Sequence, residues 1–426
     1  MKRISGWKKS LVVLLGCSLW HLPLGACAAL SLDQAVDMAL NQNTEIRIAA
    51  KGEDKAEAEI AAAKGADGVT VTATASVSIS DGAGKQFSNS NTNTLKAALP
   101  IYTGGKNELT IENTKSAYIS SQFNTMRTKE NIKLSTIKAY YDVLEAQKTI
   151  AVDKESVDNY AAHLTNVEQL YSAGSKAKIE VLRSEVQLSD ARQTLIKAQN
   201  TYEIALSTLK NIIRLDREEP LDLTTDFSYM TFSPDMSACL AKARGNRKDL
   251  RQAELAVQKA EKDIKIAKAG FLPSVDLTAS VGWEDRALPD DKHYNYTAGI
   301  TASWDIFDNQ VTKANVKGAE AARDEAELTL LKKTDDIDLE VRQAYLNMRE
   351  AEKRFVSTGD AIKQAREDYY IANAKYKAGE GLMLDIIDAQ LALSTAQLNY
   401  ISAQYDYVRY KAEVENVIGS SEEVAQ

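Results

Sequence analysis

Two aspartates are the residues of this sequence best placed to act on a charged solute. Asp385 and Asp388 are three positions apart at the start of a predicted helix, so their carboxylates share one helix face. As an ordinary N-terminal pair they would complement the helix dipole, worth about a few tenths of a kcal/mol each. Repeated around the axis of an oligomer, they would instead form stacked carboxylate rings, which select cations. The spacing alone leaves both interpretations open.

The residue types that commonly carry catalysis are few and scattered. The histidines are His21, His163 and His293, and no nucleophile motif, phosphate-binding loop or metal-spaced cluster accompanies them. Cys239 is the one cysteine certain to remain in the mature chain, and a lone cysteine is most often a small buried residue. We therefore expect no catalytic residue, no cofactor and no metal site.

Residues 1–28 have the pattern of a signal peptide, with positive residues before an apolar run and small residues after it. Ala26-Cys27-Ala28 fits ordinary cleavage, whereas Leu24-Gly25-Ala26-Cys27 resembles a lipobox that would leave Cys27 acylated. Both remain open, and ordinary cleavage is favoured because no polar spacer follows Cys27. Removal of four positive residues takes the formal charge from −8 to about −12. That charge argues against a nucleic-acid partner.

The longest predicted element is a helix over residues 104–173. Lys106 to Ala173 contains no glycine or proline, and a helix of that length would extend about 100 Å at ~1.5 Å per residue. Large side chains recur every seven residues, which predicts knobs-into-holes packing on neighbouring helices: Val143, Ile150, Val157, Leu164, Tyr171. A return helix is predicted over 179–213. No later apolar run reaches ~18 residues, so no transmembrane helix is predicted.

Alternating apolar and hydroxylated residues predict a β-hairpin before each long helix. The hairpins are predicted over 69–103 and 274–307, and the polar segment 81–92 is predicted to be a loop. Each strand has one lipid-compatible face and one polar face, as in transmembrane β-structure, with Trp283, Tyr294 and Tyr296 as candidate interfacial aromatics. A soluble β-domain between coiled coils is the alternative.

The chain repeats itself after 205 residues. Ala139-Tyr140 matches Ala344-Tyr345, and the motif that closes the first long helix at Gly174 returns at Gly379. We predict repeats over 29–213 and 236–418, joined by an equatorial connector over 214–235 and followed by a tail over 419–426. Each repeat begins with an unbroken helix, predicted over 31–63 and 236–269. The second long helix and return helix are predicted over 310–378 and 383–418.

The repeat offset and the strand number each have a structural consequence. At an offset of 205 the first strands are out of phase, with Val69 falling on Ser274, so we expect a one-residue slip or bulge there. Four strands cannot close a barrel, for which about eight is the minimum. Open edges in a membrane would leave backbone groups unpaired at several kcal/mol each. We therefore expect an oligomer whose protomers share one barrel.

The whole mature chain resembles the TolC family of outer-membrane channel proteins, also called outer membrane efflux proteins. The order, spacing and duplication of several short segments carry the resemblance: Leu32-Asp33-Gln34-Ala35, Ala39-Leu40-Asn41-Gln42-Asn43, Ala269-Gly270-Phe271-Leu272-Pro273, Trp304-Asp305-Ile306-Phe307-Asp308, and the helix turns Tyr171…Gly174…Val181-Leu182 and Tyr376…Gly379…Asp385-Ile386-Ile387-Asp388-Ala389-Gln390.

The resemblance implies a mainly α-helical homotrimer with a twelve-stranded outer-membrane β-barrel on a periplasmic α-helical barrel. The function implied is the exit duct of a tripartite efflux pump or type I secretion system, a passive channel opened at its periplasmic tip. Its partners would be a periplasmic adaptor (membrane fusion) protein, through it an inner-membrane transporter of RND, ABC or MFS type, and outer-membrane lipid. A structural or adhesive surface coiled-coil protein without transport activity is the alternative.

The resemblance also suggests which residues act. Asp385 and Asp388 match acidic positions of the family's periplasmic entrance, which favours the constriction role, and Glu180 matches another acidic position. The helix turns that would contact the adaptor carry Tyr171, Gly174, Tyr376 and Gly379. Some members have an arginine after the second turn glycine; here Glu380 and Gly381 follow, so a latch using that arginine is in doubt. For Lys176 and Lys178 two interpretations are open, ion pairs with acidic residues of the neighbouring hairpin or solvated turn residues, and the second is favoured.

Overall fold

The computed structural model describes residues 28–83, 85–284 and 294–419. The first repeat contains β1 (Ala28–Leu30), α1 (Leu32–Gln42), α2 (Thr44–Ala66), β2 (Thr70–Gly82), β3 (Lys85–Tyr102), α3 (Lys106–Ser172) and α4 (Lys178–Ile213). The connector contains β4 (Leu221–Leu223), which pairs with β1. The second repeat contains α5 (Met236–Asn246), α6 (Lys248–Lys268), β5 (Ser274–Glu284), β6 (Tyr294–Ser303), α7 (Val311–Lys377) and α8 (Met383–Val417).

The long helices α3 and α7 have 67 residues each and begin and end at equivalent positions of the two repeats. Each packs along its own return helix, and α3 also packs against α8, so the two helical hairpins lie side by side. The row predicted every seven residues is not the buried face of α3. Only Val143 of that row is buried, because the inner face carries Val152, Ser156 and Val167 instead.

The prediction of unbroken opening helices is wrong. In the first repeat the helix breaks at Asn43, whose side chain accepts a hydrogen bond from the Glu45 amide at 2.8 Å and so caps α2. The Asn43 amide group also donates to the carbonyl of Ile212 at 3.0 Å. In the second repeat the break falls at Arg247, 204 positions later. Both repeats therefore break the opening helix at an equivalent position, but different side chains stabilise the two breaks.

The predicted loop over 81–92 is also wrong, because most of it belongs to β3. Asn89, Asn91 and Thr92 pair with β2, and the strands are joined by a turn between Gly82 and Lys85. Polar composition suggested a loop, but ladder hydrogen bonds satisfy the backbone as well in a polar strand as in an apolar one. The second hairpin is shorter than predicted: β6 ends at Ser303, where the Trp304 indole turns aside and donates to the Phe271 carbonyl at 3.0 Å.

Four strands form one antiparallel sheet in the order β2-β3-β5-β6. Cross-strand partners put like side chains in rows. Val71, Ala97, Ala279 and Ala298 form a row on one face, and Thr72, Lys96, Ser280 and Thr297 form a row on the other. The apolar face is exposed in the protomer, with Val71 at 65% and Ile300 at 68%. In this sheet β2 and β6 each have a partner on one side only.

The irregularity expected at the first strands corresponds to a register shift between Ser80 and Gly82 of β2, and a second shift lies between Pro100 and Tyr102 of β3. β2 and β5 begin at Thr70 and Ser274, an offset of 204 at which their apolar residues are in phase. Pro100 pairs with Asp276 and Tyr102 with Val275, so Ile101 is an extra residue. The bulge places Tyr102 in the apolar row of Val275 and Ala302, whereas strict alternation would place it on the polar face.

The main hydrophobic core lies where the connector crosses the long helices. Tyr140 is fully buried near the middle of α3; its hydroxyl donates to the Leu30 carbonyl at 2.9 Å and accepts from the Thr225 amide at 3.0 Å. Aromatic rings of the connector pack on the second hairpin, with Phe227 5.3 Å from Phe355 and Tyr229 5.3 Å from Tyr407 between ring centres. The connector and β1 thus hold both hairpins together.

Arg247 is the most buried charge at the second helix break. Its side chain is 3% exposed and lies 2.7 Å from carboxylate oxygens of both Asp249 and Glu340. Burial alone would raise the pKa of Asp249, but hydrogen bonds from Arg247 and Lys333 hold that pKa well below its usual value. Each charged group at this break is therefore stabilised by its partners of opposite charge. Removal of Arg247 would leave the largely buried Asp249 carboxylate without its main partner.

We expect Arg247→Ala to lower the free energy of unfolding by about 3 kcal/mol, because it removes one member of a buried ion pair. Denaturant unfolding of the detergent-solubilised protein, followed by circular dichroism, measures this loss. Arg251→Ala is the matched control: Arg251 pairs with Glu254 on the surface, and its loss should cost less than about 1 kcal/mol. Equal effects of the two substitutions would contradict the structural role of Arg247.

Candidate functional site at the helix turns

The turns that join α3 to α4 and α7 to α8 share one backbone design. Gly174 has φ 76° and Gly379 has φ 81°, a region that disfavours any side chain. The Gly174 amide donates to the Tyr171 carbonyl at 2.9 Å, and the Ser175 amide donates to the Leu170 carbonyl at 2.8 Å. The second turn repeats both bonds, from Gly379 and Glu380. Both helices therefore end in a Schellman motif, which gives each turn one defined shape.

The two turns differ in the residues that follow the shared glycine. In the second turn the amide of Gly381 donates to the Lys375 carbonyl at 3.1 Å. A Cβ atom added at Gly381 would lie 2.9 Å from the backbone nitrogen of Tyr376, too close for any other residue without movement. In the first turn the equivalent position holds Lys176, whose side chain is 23% exposed. The interpretation of Lys176 as a solvated turn residue is therefore wrong.

Tyr376 connects the two hairpins. Its side chain is 1% exposed, and its hydroxyl donates to a carboxylate oxygen of Glu180 on α4 at 3.2 Å. Lys176 lies 3.5 Å from the same oxygen and 4.7 Å from the centre of the Tyr376 ring. Burial, and then the Glu180 carboxylate, raise the pKa of Tyr376 to about 12. The phenol therefore stays protonated and able to donate at neutral pH.

His163 of α3 completes this cluster, and sequence reasoning did not assign it a role. Its ring centre lies 5.2 Å from that of Tyr376, and its Nε2 is buried without a hydrogen-bond partner. Burial lowers the pKa of His163 below 6.5; Lys176 adds to this effect and Glu180 opposes it. The 205-residue repeat could not predict this contact, because it does not show which residues of each helix are buried in the bundle.

Asp385 and Asp388 lie at the start of α8, where both are exposed. A carboxylate oxygen of Asp385 accepts a hydrogen bond from the Leu382 amide at 3.1 Å. Asp385 therefore caps α8 with one carboxylate oxygen. Its second oxygen takes no part in the cap, so Asp385 can both cap the helix and contribute to a carboxylate ring. Asp388 follows one turn later on the same helix, as the spacing predicts.

The residues expected at the adaptor-contact turns are not equivalent. Tyr171 is 44% exposed, and Gly174 and Gly379 are also exposed. Tyr376 is buried within the protomer, so a direct contact between its side chain and a partner does not fit the structure. The repeat matched the two tyrosines in sequence, but it could not show that only one of them packs between the hairpins. Cys27 lies outside the described residues.

Between residues 28 and 419, apart from residue 84 and residues 285–293, no group of three or more histidine, cysteine, aspartate or glutamate side chains is arranged to hold a metal ion. Over the same residues no helix has both the length and the apolar character needed to cross a membrane.

The fold and the turns define a class: an internally duplicated protomer with a two-faced sheet at one end of two long helical hairpins. A family model described as "Outer membrane efflux protein" matches residues 35–213 and 239–420, and the chain belongs to that family. The predicted family and fold class are thereby confirmed. The chain is located in the outer membrane. The family consists of channel proteins rather than enzymes.

Named relatives are distant in sequence. "Outer membrane protein TolC" of Escherichia coli is 23% identical over 309 residues, 69% of this chain and 62% of that protein. "Toxin and drug export protein A" of Aggregatibacter actinomycetemcomitans is 24% identical over 304 residues, 70% of this chain and 65% of that protein. The chain thus matches less than two thirds of the length of either relative.

Solved structures share the whole fold. The Campylobacter jejuni CmeC outer membrane channel superposes with a TM-score of 0.82 at 19% identity, covering 91% of this chain and 85% of that one. The outer membrane protein VceC of Vibrio cholerae superposes with a TM-score of 0.78 at 17% identity, covering 91% and 96%.

The His163 environment predicts a pH effect. The pKa of His163 is lower in the folded than in the unfolded chain, so the unfolded chain takes up this proton first as pH falls through about 6.5, and stability is lost. His163→Gln should therefore lose less thermal stability than the wild type between about pH 7.5 and about pH 5.5. Differential scanning calorimetry at both pH values checks this. Equal losses in the wild type and the variant would contradict the prediction.

Proposed function

We propose that three copies of this chain form an outer-membrane exit duct for an efflux pump or a type I secretion system. The observation that carries the proposal is the four-stranded sheet, which has an apolar face, a polar face and two edges with free ladder positions. Antiparallel pairing of β6 of one protomer with β2 of the next satisfies those edges. Three such sheets give twelve strands, enough to enclose an aqueous channel with the polar face inside.

The shaft of the protomer supports the same assembly. Exposed apolar side chains follow α4 at helical spacing: Ile179, Leu182, Val186, Ile196 and Ile204. The heptad row on α3 is half-buried from Ile150 to Leu164, and such incompletely buried rows suit packing on neighbouring helices. A shaft of this length exposed to water as a monomer would leave these rows uncovered. In the proposed trimer they cover one another and form the periplasmic α-helical barrel.

The helix turns would lie at the periplasmic end of the duct, farthest from the sheet. Asp385 and Asp388 of three protomers would there form two carboxylate rings, with Glu180 nearby, and restrict entry in favour of cations. The exposed parts of the two turns, with Tyr171, Gly174 and Gly379, would contact a periplasmic adaptor. That adaptor would connect the duct to an inner-membrane transporter of RND, ABC or MFS type, and opening of the turns would follow from its binding.

Reversal potentials in planar bilayers test the duct and its entrance together. Under a salt gradient we expect the purified protein to conduct and to prefer cations. Asp385→Asn with Asp388→Asn should reduce that preference by a factor of several while conductance persists, because asparagine keeps the helix cap and removes the charge.

Asp190→Asn provides the control, since Asp190 is an exposed carboxylate on α4, away from the turns. It should leave the reversal potential unchanged. A protein without any conductance would contradict the duct, and an unchanged reversal potential in the double variant would contradict the carboxylate rings alone.

A further inference from the structure

Lys96 carries the single positive charge on the polar face of the sheet where β3 pairs with β5, from Thr92 to Tyr102. The other charged side chains of that face over the same stretch are Asp276 and Glu284. Lys96 is exposed, and its partner on β5 is Ser280, a small hydroxylated residue. Among the residues that the structure describes, no carboxylate forms an ion pair with Lys96. Its ammonium group is therefore free to meet a solute.

Lys96 also lies near the middle of the part of the sheet that would cross the membrane. The apolar face extends along β5 from Trp283 to Val275, about 26 Å at ~3.3 Å per residue. Lys96 pairs with Ser280, between these two ends. A charged side chain that faced lipid would be most costly at this depth. The position of Lys96 on the polar face therefore agrees with water on that side of the sheet.

We infer that the Lys96 side chains of three protomers form a positively charged ring at mid-height of the barrel, which binds anionic groups of passing solutes. The groups that fit an ammonium ring are carboxylates, phosphates and sulfonates. The inference rests on the proposed duct. It adds a second site of charge selection, opposite in sign to the carboxylate rings at the helix turns.

The dimensions of such a barrel bring the whole channel within reach of the ring. Twelve strands ~4.8 Å apart and tilted by ~40° give a backbone radius of about 12 Å. An extended lysine stem covers roughly half of that radius, so the ammonium groups would lie about 6 Å from the channel axis. The Debye length at physiological ionic strength is about 8 Å. Salt would therefore not screen the ring from a solute on the axis.

The acidic residues of the same face are too distant to cancel the ring. Asp276 and Glu284 lie on either side of Ser280 along β5, each about 13 Å from it at ~3.3 Å per residue. That separation exceeds the Debye length of about 8 Å, so each layer of charge acts largely by itself. A solute in the barrel would meet a positive layer between two negative layers rather than an averaged charge.

Reaction of a cysteine with charged reagents measures the potential at a chosen level of the barrel. Ser280→Cys places a thiol beside Lys96, and the parent protein, in which Cys239 is buried, supplies the background rate. Two methanethiosulfonates are compared, one with a sulfonate and one with a trimethylammonium group. Lys96→Gln should lower the ratio of the sulfonate rate to the ammonium rate by a factor of about three or more at physiological salt. The ratio cancels changes in thiol reactivity that affect both reagents equally.

Thr301→Cys is the matched control, because Thr301 lies on the same face opposite Asp276. There the ammonium reagent should react faster, and Lys96→Gln should change the ratio far less. Beside Ser280→Cys, Lys96→Arg should keep the wild-type ratio, because it keeps the charge.

An unchanged ratio at Ser280→Cys after Lys96→Gln overturns the inference. Conductance of the same proteins in planar bilayers separates this failure from failure of the duct. A conducting protein that reacts at Ser280→Cys with a ratio independent of Lys96 overturns the ring alone. A protein that does not conduct and reacts with neither reagent at Ser280→Cys or Thr301→Cys contradicts both the ring and the duct.

Discussion

Backbone hydrogen bonding at the edges of the four-stranded sheet is the constraint on which the rest of the structure depends. In lipid no water satisfies an unpaired amide or carbonyl group, and each costs several kcal/mol. β2 and β6 each have one neighbour in the protomer, so the sheet is incomplete by itself in the outer membrane. In the proposed trimer, closure by the other protomers would remove these edges. That closure would also set the distances between the helices of neighbouring protomers, because each strand pair leads directly into the helices of the shaft.

The two repeats contribute two strand pairs of the same design to the sheet. The repeats differ at the breaks of their opening helices and at their helix turns. Both repeats break the opening helix at equivalent positions, but one break is capped by Asn43 and the other is held by the ion pairs of Arg247. Both helix turns end in the same glycine motif. Only the second has Gly381 folded back on the helix end, and only its Tyr376 is buried between the hairpins. Two nearly equal hairpins thus present unequal surfaces at the end where the duct would close.

Short-range patterns in the sequence predicted a helix or strand well where a single physical rule determined it. The absence of glycine and proline predicted α3, the internal repeat predicted α7, and alternation predicted the faces of the strands. The errors have a common cause. The breaks at Asn43 and Arg247 depend on partners such as Ile212 and Glu340, far away in sequence. Residues 85–92 join β3 because β2 lies beside them. The burial of Tyr376 beside His163 likewise depends on how the hairpins pack, which no single segment encodes.

The number of copies in the assembled channel tests the central claim most directly. Native mass spectrometry of the protein, extracted from outer membranes in mild detergent, measures that number without reference to the cargo or the pump. We expect a complex of three chains, which gives twelve strands and leaves no unpaired edge. A monomer, or an assembly of two chains with eight strands, would contradict it.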